Sequence, residues 1–286
     1  MKIKPWLLFA IITTLFWGVW GALIEIPEKA GFPATLGYSV WALTMIPCSL
    51  VALKLINWKL EYDKRSIFLG SMVGFLGAGG QLILFQALRT GPAYLVFPII
   101  SLYPVVTIVL SVLFLNERAA RRSWLGIVLA LFAIILLSYQ PPENSAGRGL
   151  LWLFLAFFVF FFWGIQAYVM KFSHESMKAE SIFFYMMATA VVLIPVALLM
   201  TDFTQDINWG FRGPYLAAMI QVLNAVGALM FVYAVRFGKA IIVVPMTALA
   251  PVITIILSLI IYAVIPHPIT LAGMVFAVAA IYLMAE

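Results

Sequence analysis

Residues Ala87 to Ser111 read ALRTGPAYLVFPIISLYPVVTIVLS, and residues Ala234 to Ser258 read AVRFGKAIIVVPMTALAPVITIILS. The two stretches align without a gap at a spacing of 147 positions, and 13 of the 25 residues are identical. Apolar helices share Leu and Val through composition alone. They do not share an arginine (Arg89/Arg236), a glycine (Gly91/Gly238) and two prolines (Pro98/Pro245, Pro104/Pro251) in register by composition. The chain is therefore one unit written twice. The repeat extends outward from this core. Phe16-Trp17-Gly18 matches Phe162-Trp163-Gly164, Trp6 matches Trp152, and Tyr38 matches Tyr185.

Of the 286 residues, 65% are hydrophobic and 10% charged. A soluble domain carries roughly 25% charged residues, so this chain cannot coat a water-soluble globule. A lipid bilayer suits it, and there the backbone must be helical or a closed barrel. The apolar runs are about 20 residues long and do not alternate, which predicts helices. Lys2 and Lys4 precede an apolar run that continues to about Ile24 with no small-residue cleavage site, so it is expected to be an uncleaved first span.

Ten spans are expected, near residues 5–24, 34–56, 66–88, 92–115, 123–139, 148–170, 180–200, 214–235, 239–263 and 268–285. The segment Ser138 to Gly149 is the one composition break near mid-chain. It divides a first five-helix repeat, residues 1–140, from a second, residues 141–286. Alternate loops carry 13 and 4 of the Lys and Arg residues. The richer side is expected to face the cytoplasm, with both termini inside. Five spans is an odd number, so the second copy enters the membrane upside down relative to the first. Such inverted repeats are the layout that alternating access uses. The expected fold class is thus an all-α integral membrane protein, ten transmembrane helices as two inverted five-helix repeats.

The arrangement resembles the drug/metabolite transporter superfamily, specifically the EamA-type permeases. The residues that carry the likeness are Phe16-Trp17-Gly18 and Phe162-Trp163-Gly164, the Ala87-Leu88-Arg89 segment with Gly91-Pro92-Ala93, and Leu115-Asn116-Glu117-Arg118. The resemblance covers the whole chain. It implies a central cavity lined by spans 1, 3, 4, 6, 8 and 9, and movement of small metabolites, often outward. The family often has an acid at the end of the fourth span and another at the matching point of the ninth. Here Glu117 is present and its counterpart is Val264, and Asn116 stands where the family usually shows Gly.

Four groups of residues are candidates for work. Pro98, Pro104, Pro245 and Pro251 lie inside spans, where each removes a helical hydrogen bond. They are expected to break or flex helices beside the site. Gln81, Gln221 and Asn224 fall on one face of equivalent helices and are expected to look inward. Gln166, Gln86 and Tyr233 lie in the same set of spans. For each, the alternative is interhelical hydrogen bonding. Trp17, Trp20 and Trp163 lie close to the proposed cavity, as do Tyr94 and Tyr103, although most aromatics in such a chain face lipid or the interface. Glu25 and Glu117 are possible proton carriers. The alternative for Glu117 is an ion pair with Arg121, four residues on. The glycines of span 3, Gly70 to Gly80, suit close helix packing.

No Lys, Arg, Asp or Glu lies at the midpoint of any span. A phosphate-bearing substrate would need fixed cations, so the substrate class is a small neutral or zwitterionic molecule, amino-acid-like or aromatic. Cys48 is the single cysteine, which excludes an internal disulfide and a Cys-based metal site. His174 and His267 are expected in loops on opposite sides, and no Ser-His-acid set or HExxH motif exists. The sequence points away from an enzyme, a cofactor, a metal and a nucleic-acid partner. A channel-like facilitator for small polar solutes is the rival to a carrier.

Overall fold

The computed structural model describes residues 4–91, 93–139, 150–262 and 267–285, without the side chains of 93–95, 98 and 262. The expected side chains of Tyr94 and Pro98, the joining segment 140–149 and Val264 therefore lie outside the described residues. Every regular element among the described residues is helical. In the first half these are α1 (Pro5–Leu23), α2 (Glu25–Lys29), α3 (Ala34–Leu55), α4 (Lys64–Thr90), α5 (Ala93–Ser101), α6 (Tyr103–Phe114) and α7 (Arg121–Leu137). The second half has α8 (Leu151–Ser173), α9 (Ala179–Val192), α10 (Ile194–Leu199), α11 (Leu216–Phe237), α12 (Ala240–Thr247), α13 (Pro251–Tyr262) and α14 (Pro268–Met284). A π-helical turn, Phe211–Tyr215, leads into α11.

Local chemistry sets several boundaries. Asp63 accepts hydrogen bonds from the backbone N–H of Arg65 at 3.0 Å and of Ser66 at 3.1 Å, an N-cap that starts α4. Pro104 opens α6 and Pro251 opens α13, where a missing N–H costs nothing. Asn116 sits at φ 52°, in the left-handed region. Asn tolerates that region better than other non-glycine residues, which explains how it can stand where the resembling family shows Gly.

Among the described residues, seven helical stretches are long and apolar enough to cross a membrane. This is fewer than the ten expected. The fourth expected span is broken at Leu102 into the two short helices α5 and α6. Helices α7 and α14 have 17 residues each, about 26 Å of helix, slightly less than the ~30 Å hydrocarbon core.

Contacts come in matching pairs that cross the two halves. Helix α1 lies along α11 while α4 lies along α8; α6 packs on α8 while α13 packs on α1; α7 runs beside α14. The same pairing holds at the level of atoms. Thr107 Oγ1 donates to the Gly164 carbonyl at 2.8 Å, and its repeat partner Thr254 Oγ1 donates to the Gly18 carbonyl at 2.9 Å. A Cβ on Gly18 would stand 2.3 Å from Ile253 Cβ, and one on Gly164 would stand 2.4 Å from Val106 Cβ. Glycine is needed at both positions because the helices touch there, the role such residues take in membrane bundles. The span 3 glycines behave likewise: Tyr185 closes on Gly70 and Thr189 on Gly74.

Ionic contacts sort the loops into two ends. One end gathers Arg65 with Glu175, Glu117 with Lys171 and Glu180 with Arg236. It holds most of the lysines and arginines, and is called the basic end below. The opposite end holds the Glu25–Lys29 pair, Arg89 against the Met200 carbonyl, and Asn208 bonded to the Ala30 and Gly31 carbonyls.

Candidate functional site

Two helices are interrupted at equivalent places. The α5/α6 break falls at Leu102, and the α12/α13 break at Ala248 to Ala250. Short i→i+3 bonds carry the chain across each break, Leu102 N to Ile99 O and Ala250 N to Thr247 O among them. Between the breaks lies a cavity of about 460 Å³. Ile100, Ser101 and Tyr103 line it from one break, and Thr247, Ala248, Ala250 and Pro251 from the other. Pro104 and Pro251 stand at the starts of the helices that follow the two interruptions. Pro245 lies buried inside α12 and leaves that helix unbroken at its own position.

Trp17 and Trp163 stand across from each other in the repeat, and each reaches the facing helix. Trp17 Nε1 donates to the Asn224 carbonyl at 3.4 Å; Trp163 Nε1 donates to the Gly77 carbonyl at 3.3 Å. Gly77 and Asn224 are themselves repeat partners, 147 positions apart. Each indole lies against a glycine, Gly227 and Gly80, where a Cβ would come within 2.7 Å and 2.6 Å of ring atoms. Tyr103 meets Trp163 edge to face at 6.0 Å. The indoles are held by these bonds and line the cavity, an arrangement suited to flat or apolar groups.

A smaller cavity of about 90 Å³ adjoins the first and shares Trp20, Trp41, Gln81 and Asn224 with it. Its other walls include Ile24, Glu28, Ala34 and Phe85, which lead toward the end opposite the basic one. Gln221 lines this smaller space. Its amide is already engaged: Oε1 accepts from Trp20 Nε1 at 3.0 Å, and Nε2 donates to the Gly37 carbonyl at 3.2 Å. Gln221 therefore holds Trp20 in place. Asn224 Nδ2 sits 3.5 Å from the same oxygen.

Of the residues singled out in the sequence, Trp17, Trp20, Gln81, Tyr103, Trp163, Gln166 and Asn224 line the larger cavity, and Gln221 the smaller. Gln86 and Tyr233 line neither. Tyr233 is drawn away by Glu180, whose Oε1 accepts its hydroxyl at 2.5 Å, and by Phe9, which stacks on its ring at 5.2 Å. Glu25 is exposed and pairs with Lys29 at 2.6 Å. Glu117 does not form the expected pair with Arg121. Its carboxylate instead accepts the backbone N–H groups of Ala240 and Ile241, both at 3.1 Å, with Lys171 Nζ at 3.9 Å. The unpaired N–H groups at the start of α12 attract an anion more strongly than one exposed arginine does.

Trp41 and Glu28 escaped the sequence reading. Trp41 lines both cavities and has Ala188 as its repeat counterpart, so duplication gives no signal for it. Glu28 does have one: at a spacing of 146 its counterpart is His174, another titratable group.

The family model of the EamA-like transporter family matches residues 4–139 and again residues 150–285. The chain belongs to the EamA-like transporter family. It is a membrane transport protein for small solutes, not an enzyme. An uncharacterized protein of Methanocaldococcus jannaschii is 36% identical over 94 residues, 33% of this chain and 68% of that protein. An uncharacterized transporter of Archaeoglobus fulgidus is 27% identical over 154 residues, about half of each chain (51% and 52%). Protein LicB of Haemophilus influenzae is 23% identical over 210 residues, 70% of each. A crystal structure with 14% identity superposes with a TM-score of 0.80 over 99% of this chain and 96% of that one. At that identity the likeness is one of fold.

Proposed function

We propose that this EamA-type protein is a secondary carrier that moves a small neutral or zwitterionic metabolite, amino-acid-like or aromatic, by alternating access. It would do so with ten membrane-crossing segments, residues 1–140 and 141–286 forming two copies that face opposite ways. The basic end would lie in the cytoplasm with both termini, in a bacterial inner membrane, and net transport would run outward. The observation that carries the reading is the position of the larger cavity. It sits between two equivalently broken helices, no lysine, arginine, aspartate or glutamate among the described residues lines it, and its extension leads away from the basic end. An uncharged, indole-walled space favours flat or apolar groups and gives a phosphate no fixed cation.

The breaks supply the moving parts. A short helix of nine or eight residues, α5 or α12, can tilt about its break without disturbing the longer partner. Counterflow in proteoliposomes tests the reading. A carrier loaded with unlabelled aromatic amino acid on one side accelerates entry of labelled compound from the other. A channel-like facilitator gives no such trans-stimulation. A strict requirement for a phosphate group in the substrate would overturn the argument from missing charge.

A further inference from the structure

The smaller cavity holds two groups that the transport reading leaves without a task. Glu28 is the one Asp, Glu, Lys or Arg among the described residues lining either cavity. It follows the end of α1 on the short helix α2, where it is exposed. Lys29, its chain neighbour, is engaged by Glu25 at 2.6 Å. The second group is the Trp41 indole. Its Nε1–H is buried and finds no hydrogen-bond acceptor in the protein, although the side chain lines both cavities. A buried donor without an acceptor is costly. The other indoles nearby are taken: Trp17, Trp20 and Trp163 each donate to a protein oxygen.

We infer that Glu28 and Trp41 form a head-group subsite, Glu28 taking a substrate ammonium and the Trp41 N–H a substrate carboxylate or carbonyl oxygen. The rest of the molecule would extend past Trp20 and Gln81 into the larger indole-walled cavity. This deepens the carrier reading and rests on it. A carboxylate at the mouth of a low-dielectric cleft raises the local concentration of cations and lowers that of anions. An indole N–H accepts no proton and takes only an oxygen lone pair. Together the two groups distinguish the ends of an α-amino acid, which neither could do alone.

The test uses the full-length protein in detergent and four probes: indole, tryptamine, indole-3-propionate and tryptophan, with affinity read by titration. In the unaltered protein tryptophan binds tightest. Glu28→Gln weakens tryptophan and tryptamine by about three- to tenfold and leaves indole-3-propionate unchanged or slightly tighter. Trp41→Phe weakens tryptophan and indole-3-propionate by a similar factor and spares tryptamine. Indole has neither head group, so equal indole binding shows that each variant keeps its chamber. A variant that loses indole is replaced by Glu28→Asp or Trp41→His. The first keeps the charge and retains the amine preference in weakened form. The second keeps a ring N–H and retains the acid preference. Losses that fall alike on amine and acid probes, or no loss at all, overturn the subsite while the chamber stands. Failure of all four probes to bind the unaltered protein overturns the aromatic chamber itself, and the subsite with it.

Discussion

At the basic end, Glu117 closes the first turn of α12 and Arg236 reaches Glu180 at 3.7 Å, while Tyr233 bonds the same carboxylate. At the opposite end the equivalent positions are Pro33 for Glu180 and Gln86 for Tyr233, and in the sequence the counterpart of Glu117 is Val264, outside the described residues. Arg89, the partner of Arg236, is left with the carbonyl of Met200. Lys171 likewise becomes Glu25, which pairs locally with Lys29. Duplication gave the two ends the same backbone, and among the described residues ion pairs across the halves occur at one of them, Arg65 with Glu175 and Glu117 with Lys171, while at the other the halves meet through carbonyl acceptors, Arg89 on Met200 and Asn208 on Ala30 and Gly31. The scaffold is symmetric because its helix contacts repeat. The charge pairing is asymmetric, and the smaller cavity extends toward the end without ion pairs across the halves, where Glu28 lines it.

Removing a tie is the strongest way to break this comparison. Glu117→Ala leaves two N–H groups of α12 without their acceptor and Lys171 without its anion. We expect a loss of about 2–4 kcal/mol and a gain in solvent access at the basic end. Apparent melting temperature and thiol labelling of a cysteine placed in α12 measure the two effects. Labelling that increases at the opposite end instead would contradict the role of Glu117 in joining the halves at the basic end.

Acid is the next lever. Burial, and then the Lys171 and Arg236 charges, push the His174 imidazole down to about 3. An unfolded histidine titrates near 6.5. The folded state therefore binds fewer protons between these values, and stability falls as pH drops from about 6.5 toward 3. His174→Gln should flatten the melting temperature over that interval.

Smaller effects sharpen the symmetric side. Gly18→Ala and Gly164→Ala both force a methyl against a branched side chain, Ile253 or Val106. Each should cost about 1–3 kcal/mol even after the helix propensity gained, and the two costs should agree. Thr107→Val and Thr254→Val each remove one hydrogen bond across the halves, worth about 0.6 kcal/mol in a membrane bundle. Unequal losses in either pair, measured by melting in detergent, would mean that the repeat is equal in sequence and not in strain.

These contrasts mark what the chain makes legible before any coordinates. The duplication, the helical class and the inward amides of Gln81 and Asn224 follow from spacing, because helical periodicity and in-register identity survive in a single sequence. Broken helices follow from proline. The partner of Glu117 does not, since the N-terminus of α12 is 123 residues away and nothing local announces it. Tyr233 was misplaced for a similar reason: Glu180 lies 53 residues before it. Gln221 shows the limit of counting polar groups. Its amide looks like a ligand contact in the sequence, and in the fold it is spent on Trp20 and Gly37. Trp41 has no repeat partner, so the signal that found Trp17 and Trp163 passed it over.

The crosswise packing has a consequence for how the protein is made. Helix α1 leaves the ribosome early, yet the groups that satisfy it, Thr254, Gln221 and Gly227, arrive more than 200 residues later. Until then its glycine seam and its indole N–H groups sit in the nascent chain without their mates. The first half must wait in the membrane, held by the insertion machinery or by lipid, until the second half is synthesised. A truncated product ending near residue 140 would retain those open seams and be a natural substrate for membrane proteases.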